Sequence, residues 1–148
     1  MIRQLMLVLG LMAVGPVLFA QEDPEPRFAT IAVCIDSGSE SLAAWQIELS
    51  HVGGEAEIVG IEGGVEPFEG PPYYDEAAFR SGRVVLAAFS TERNLRPGVH
   101  RVATVHAMET GNTIEYSLIL KAAGNETGSR VVARVWSSRD DCKPRGMP

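Results

Sequence analysis

Ser81–Met108 has the sequence SGRVVLAAFSTERNLRPGVHRVATVHAM, and its pattern decides the fold class. An apolar run, Arg83–Phe89, is followed by a polar, turn-prone linker, Ser90–Gly98. A second run, Val99–Met108, then alternates apolar and polar residues. Alternation with a period of two is typical of a half-buried β-strand. The stretch therefore predicts two β-strands of one sandwich.

Five further segments have the composition of strands and are separated by turn residues such as Gly, Asn and Asp. They are Phe28–Ile35, Ala43–Ser50, Glu55–Ile61, Thr113–Ala122 and Arg130–Trp136. In the second of them Trp45, Ile47 and Leu49 share one face, which predicts that this face is buried. Seven short strands predict an all-β fold, an antiparallel β-sandwich of the jelly-roll or immunoglobulin-like kind.

The longest irregular segment is Val65–Gly82, which contains Pro67, Pro71 and Pro72. Proline cannot donate a ladder hydrogen bond, so these residues exclude a central strand. We expect a long loop folded over one sheet, with one helical turn at Asp75–Phe79.

The N-terminal segment resembles a secretory signal peptide, with Arg3 before the apolar run Leu5–Phe19. We expect cleavage after Ala20, and an uncleaved membrane anchor is the alternative. The predicted organisation is a signal peptide (1–20), an acidic Pro-rich linker (21–27), a β-sandwich (28–136) and a polar tail (137–148). The expected location is secreted or periplasmic, without membrane attachment after cleavage.

The formal net charge is −6, and the basic residues are scattered along the chain. Nucleic-acid binding requires clustered Lys and Arg that displace counterions from phosphates. The composition therefore argues against a nucleic-acid partner.

Cys34 and Cys142 are the two cysteines. An even number in an exported chain favours a disulfide, which would tie the first strand to the tail. Two separate thiols are the alternative. We expect no other residue to hold the tail.

Residues with catalytic chemistry are present, but their spacing does not form a catalytic motif. His100 and His106 lie six residues apart in one predicted strand, about 20 Å, so they cannot share a metal ion. Asp75 and Glu76 would perform acid–base catalysis only if their carboxyls faced each other across a cleft. No Gly-x-Ser-x-Gly motif occurs. We therefore expect no enzymatic activity, no metal and no cofactor.

Aromatic residues suggest a second kind of function, because sugars bind to flat aromatic faces. Tyr73, Tyr74 and Trp136 are the candidates for such a carbohydrate platform. A structural role at the edge of the core is the alternative for these residues. A carbohydrate-binding module with a polysaccharide partner is therefore one hypothesis.

Several segments together resemble a cohesin-type module, over most of the chain after the linker. They are Ile31–Ile35, Leu42–Leu49 (LAAWQIEL), Ala56–Gly64 (AEIVGIEGG), Gly82–Ser90 (GRVVLAAFS) and Leu95–Ala107 (LRPGVHRVATVHA), and the likeness extends to Val135. The resemblance implies a non-enzymatic jelly-roll sandwich for adhesion or scaffolding, in which one sheet face docks a partner protein. In cellulosomes that partner is a calcium-bearing dockerin. Outward strand positions such as Arg83, Arg101 and Glu115 are then candidate binding residues.

Overall fold

The computed structural model describes residues 23–111 and 114–143, and these parts of the chain form seven strands and one 3-10 helix, Glu76–Ser81. The predicted signal peptide lies outside the described residues. The strands are β1 (Arg27–Ser41), β2 (Ala44–Val52), β3 (Glu55–Gly63), β4 (Arg83–Phe89), β5 (Pro97–Thr110), β6 (Glu115–Gly124) and β7 (Arg134–Ser138). The prediction of an all-β sandwich is confirmed.

The strands form a four-stranded sheet with the order β3-β5-β1-β7 and a three-stranded sheet with the order β4-β2-β6. All hydrogen-bonded neighbours are antiparallel. Successive strands always belong to different sheets, so every connection crosses the sandwich. The two strands predicted from Ser81–Met108 accordingly lie in opposite sheets.

The core between the sheets is formed by side chains at alternate positions of the strands, as the sequence pattern predicts. Trp45, Ile47 and Leu49 of β2 are buried, as predicted. They contact a layer that includes Ile31 and Val105 of the four-stranded sheet. Burying a side chain of this size contributes about 1.5–3 kcal/mol, so this inner layer is the main source of stability.

The first strand is longer than its sequence predicts. The sequence predicts a strand that ends at Ile35, before the turn residues Asp36–Ser39, whereas β1 continues to Ser41 through an irregularity after Asp36. The Asp36 carboxylate accepts a hydrogen bond from the Gly38 amide (2.9 Å), and the buried Ser37 hydroxyl accepts one from the Gly98 amide (3.1 Å). These side chains satisfy the backbone locally, so the turn residues form a bulge and not a strand end.

The long loop between β3 and β4 is irregular, as predicted. It was expected to cover one sheet, but its 3-10 helix contacts both β3 and β4 and so lies at the edge between the two sheets. Phe68 belongs to this loop and is buried in the core. Its ring packs edge-on against Trp45, with ring centroids 6.2 Å apart. The helix begins where the Asp75 carboxylate accepts a hydrogen bond from the Ala77 amide (2.9 Å).

The predicted disulfide between Cys34 and Cys142 is confirmed. The prediction that nothing else holds the tail is wrong. β7 extends to Ser138, Arg139 binds Glu109 (2.8 Å), and Asp141 lies 3.7 Å from Arg101. Arg139, Asp141 and Cys142 therefore each hold this segment. Asp141 and Cys142 bind to the same place in the four-stranded sheet, because their partners Arg101 and Cys34 lie opposite each other on neighbouring strands.

Candidate functional site

An open groove with a volume of about 690 Å³ lies on the outer face of the three-stranded sheet. Alternate residues of each strand face outward here, because their neighbours fill the core. Ladder pairing joins Ala44 to Phe89 and Gly124, and Gln46 to Ala87 and Ala122. The floor therefore consists largely of small side chains. A bound chain can approach the backbone of such a floor closely.

Two aromatic rings form the wall of the groove on the β4 side. The Tyr73 amide donates to the Ala87 carbonyl (2.7 Å) and the Ala87 amide to the Tyr73 carbonyl (3.0 Å), so Tyr73 extends the sheet beyond β4. Its ring stacks on Phe89, with centroids 6.3 Å apart and planes inclined by 7°. Tyr73 is 70% exposed and Phe89 is 62% exposed. Aromatic side chains are enriched among the residues that contribute most to binding in protein–protein interfaces.

Polar and basic side chains form the opposite wall, near β6, and include Lys121, Asn125 and Arg130. The Asn125 side chain accepts hydrogen bonds from the Ser129 amide (2.9 Å) and the Thr127 amide (3.1 Å), which fixes the turn before Arg130. Within residues 23–111 and 114–143, Arg130 has no carboxylate partner in an ion pair. The groove is thus aromatic on one side and cationic on the other.

Below the groove, Glu48 lies in the middle of the sheet between two cations. Its carboxylate is 3.0 Å from Lys121 Nζ and 3.5 Å from Arg83 Nη1. The hydrogen bond from Lys121 is the main reason that the pKa of Glu48 is below its usual value. Val85 and Ile119 flank Glu48 on the adjacent strands, and both are exposed.

Four large apolar side chains on this face are exposed. Tyr73, Phe89 and Val85 lie along the β4 side, and Ile119 lies on β6, separated from Val85 by Glu48. Clustered exposed apolar surface marks interaction sites more often than isolated apolar residues do. Because the charge of Glu48 is offset by its cations, this surface, which we call the docking face, combines apolar contacts with a positive rim.

The candidate binding residues are divided between the two sheets. Three of them lie on the three-stranded sheet. Tyr73 lies at the groove and Arg83 lies beside Glu48. Glu115 lies at the far end of the sheet, in register with Val52. Arg101 lies on the four-stranded sheet.

The three candidate sugar-binding rings do not form one platform. Tyr74 packs against the core and stacks on Phe79, with centroids 5.2 Å apart. Trp136 pairs with Cys34 in the four-stranded sheet. Tyr73 alone of the three lines the groove, and its neighbouring ring is Phe89.

The other residues considered for catalysis or metal binding are apart from one another. His100 is a buried residue of β5, whereas His106 of the same strand stacks on Phe28 with centroids 5.5 Å apart. Asp75 and Glu76 are both exposed, and Asp75 caps the 3-10 helix. Among the residues that the structure describes, no group of three or more His, Cys, Asp or Glu side chains could hold a metal ion.

A second cluster of charged groups lies at the opposite end of the sandwich, around the fully buried Glu109. Its carboxylate accepts hydrogen bonds from Arg139 (2.8 Å), Tyr116 (2.8 Å) and Arg27 (3.1 Å). Burial alone would raise the pKa of Glu109, but these three donors outweigh it and hold the pKa below its usual value. Burial, followed by the bond to Glu109, raises the pKa of Tyr116. The cluster joins the start of β1 to the C-terminal segment, which is a structural role.

No protein-family model matches the chain, and neither a curated protein nor a solved structure matches it. In the described parts of the chain, no helix is long and apolar enough to cross a membrane.

Sequence reasoning missed Phe89, Lys121 and Arg130 as members of the site. A signal for Phe89 is present, because Val84 and Leu86 face inward and the parity of β4 then places Phe89 and Val85 outward. Two apolar residues on the outer face of a half-buried strand are a sign of a binding surface. The sequence gives no such indication that Arg130 belongs to the site. Its place beside Gly124 depends on the path by which the chain turns back to pair with β6.

Proposed function

We propose that this chain is an exported, non-enzymatic interaction module, and that the docking face of the three-stranded sheet binds a partner protein. The observation that carries the proposal is the row of exposed apolar side chains beside a floor of Ala and Gly. Leaving such surface in water costs about 25 cal/mol per Å², and a partner that covers it recovers this free energy.

Two further observations support the proposal. The disulfide between Cys34 and Cys142 suits an oxidising compartment outside the cytosol. The antiparallel sandwich suits the adhesion or scaffold role that the resemblance to cohesin-type modules implies. On that resemblance, a calcium-bearing, dockerin-type protein is the first partner to seek.

A capture experiment with two matched variants tests this function. Phe89 and Phe28 are both 62% exposed, but Phe89 lies on the docking face and Phe28 on the four-stranded sheet. We expect the purified protein and Phe28→Ala to retain the same protein from the secreted fraction of the producing cells. Phe89→Ala should lose it, by about tenfold or more in affinity.

Capture should be repeated with a calcium chelator. Release by the chelator would favour a dockerin-type partner, and retention would favour a partner that does not depend on calcium. Equal capture by both Phe variants would contradict the use of the docking face.

A carbohydrate-binding module is the second candidate, favoured by the stacked and exposed Tyr73 and Phe89 rings. Under this alternative the protein is retarded on polysaccharide gels, and Tyr73→Ala removes the retardation. Tyr74→Ala is the matched control, because the Tyr74 ring packs against the core and not in the groove. Retardation that is unchanged by Tyr73→Ala would remove this candidate.

A further inference from the structure

We propose that the groove binds a segment of the partner protein that is acidic as well as apolar, and that Arg130 recognises one of its carboxylates. This inference rests on the proposed function, because it names the chemistry of the segment that the docking face binds.

The charge of the groove differs in sign from that of the whole chain. Its charged lining residues are Lys121 and Arg130, whereas the chain has a formal net charge of −6. An acidic segment is therefore attracted to the groove and repelled by the surface as a whole. Such complementarity selects partners and increases the rate of association.

Of the two cations that line the groove, Arg130 is the one without a carboxylate partner among the described residues. Lys121 is already paired with Glu48 at 3.0 Å, so its charge is largely offset. Arg130 is exposed and has no carboxylate partner within the described ranges. A guanidinium binds a carboxylate through two parallel hydrogen bonds, which gives geometric selectivity as well as attraction.

Two acidic side chains around the Asn125 turn have hydrogen-bond donors of their own. Glu40 accepts from the Asn125 side chain (3.3 Å), and Glu126 accepts from the Leu95 amide (2.7 Å). Neither of them lines the groove. Arg130 is therefore open to a carboxylate that a bound partner supplies.

The two walls set the pattern of the segment. Tyr73 and Phe89 lie on the β4 side and Arg130 on the β6 side, with β2 between them. Phe89, Ala44, Gly124 and Arg130 form one row across the sheet, because Arg130 pairs with Gly124 on the far side of β6. Neighbouring strands are about 4.8 Å apart, so the three spacings separate the Phe89 and Arg130 backbones by about 14 Å. In an extended segment this is about four residues. The segment should carry an aromatic or aliphatic side chain and an Asp or Glu about four positions apart.

Selection from a random library of displayed 12-residue peptides tests this inference on the purified protein. We expect the enriched peptides to pair Asp or Glu with an apolar residue at this spacing. Arg130→Glu should weaken their binding about tenfold or more, the loss expected for a charge-assisted hydrogen bond. A second selection on Arg130→Glu should enrich Lys or Arg instead.

Two control variants separate the possible failures. Arg93→Glu makes the same change of charge at an exposed arginine that does not line the groove, and it should leave binding unchanged. Ala87→Gln fills the floor of the groove without adding a charge and should abolish binding. Its circular dichroism spectrum and thermal unfolding check that it still folds.

Three results would overturn the inference. Peptides that Ala87→Gln rejects but that are not acidic, or that do not respond to Arg130→Glu, would leave the docking face in place and refute the acidic partner. Peptides that Ala87→Gln still binds, or no enriched peptides, would refute the docking face itself. Binding of acidic oligosaccharides on a glycan array, lost with Arg130→Glu, would assign the groove to a sugar.

Discussion

Replacing Glu109 by Gln should destabilise the fold by about 3–4 kcal/mol. The wild-type carboxylate accepts charge-assisted bonds from Arg27 and Arg139 and a third bond from Tyr116. A bond to a charged group contributes about 1.5–3 kcal/mol and a neutral one about 0.5–1.5 kcal/mol, so two weakened bonds cost about 2–3 kcal/mol. The new amide also places N–H donors against guanidinium donors. One unsatisfied donor adds about 1 kcal/mol or more.

Urea unfolding of Glu109→Gln at pH 7 measures this change. Glu115→Gln is the control, because it makes the same chemical change at an exposed position of β6 and should shift the free energy of unfolding by less than about 0.5 kcal/mol. The slope of the free energy with urea should be equal for the three proteins. A loss of less than about 1 kcal/mol for Glu109→Gln would refute the argument that the cluster holds the C-terminal segment.

Three further predictions concern stability. Cys34 and Cys142 are 108 residues apart in sequence, so replacing Cys142 by Ser should lower the free energy of unfolding by about 3–5 kcal/mol; an equal urea midpoint would contradict this. Burial lowers the pKa of His100 below its usual 6.5, so the unfolded chain binds this proton first as the pH falls. The free energy of unfolding should therefore decrease as the pH falls below about 6.5, and His100→Gln should remove the decrease that begins there; an unchanged slope in the variant would exclude His100 as its origin. A Cβ at Gly64 would overlap the Arg101 carbonyl, whereas one at Gly70 meets nothing within 4 Å. Thermal unfolding should show Gly64→Ala destabilised by about 3 kcal/mol and Gly70→Ala by less than about 1 kcal/mol, and equal losses would refute the close approach.

Local patterns in the sequence were sufficient for most strands. The last strand is the exception: it was predicted over Arg130–Trp136, whereas β7 is Arg134–Ser138. The apolar run Arg83–Phe89 coincides with β4, and the alternation around Trp45 identifies the buried face of β2. Both depend on the period of two that an extended backbone imposes. The bulge at Ser37 was missed because its hydrogen bond joins it to Gly98, which lies 61 residues further along the chain.

The site was less predictable, because it depends on which strands are neighbours. Every connection crosses the sandwich, so sequence order does not show that Phe89, Ala44 and Gly124 lie side by side. Glu109 does carry a local signal, since it shares the inward parity of Val105 and Ala107. An acidic residue at an inward position predicts buried partners, although the sequence does not identify them.

Site-specific photo-crosslinking tests the docking face most directly. Ile119 is 50% exposed on the docking face, and Val59 is 49% exposed on the four-stranded sheet. A photoreactive amino acid is placed at one position or the other, the protein is irradiated in the medium or envelope of the producing cells, and adducts are identified by mass spectrometry. We predict one specific protein adduct from position 119 and none from position 59. The same adducts from both positions, or an adduct from position 59 alone, would contradict the account.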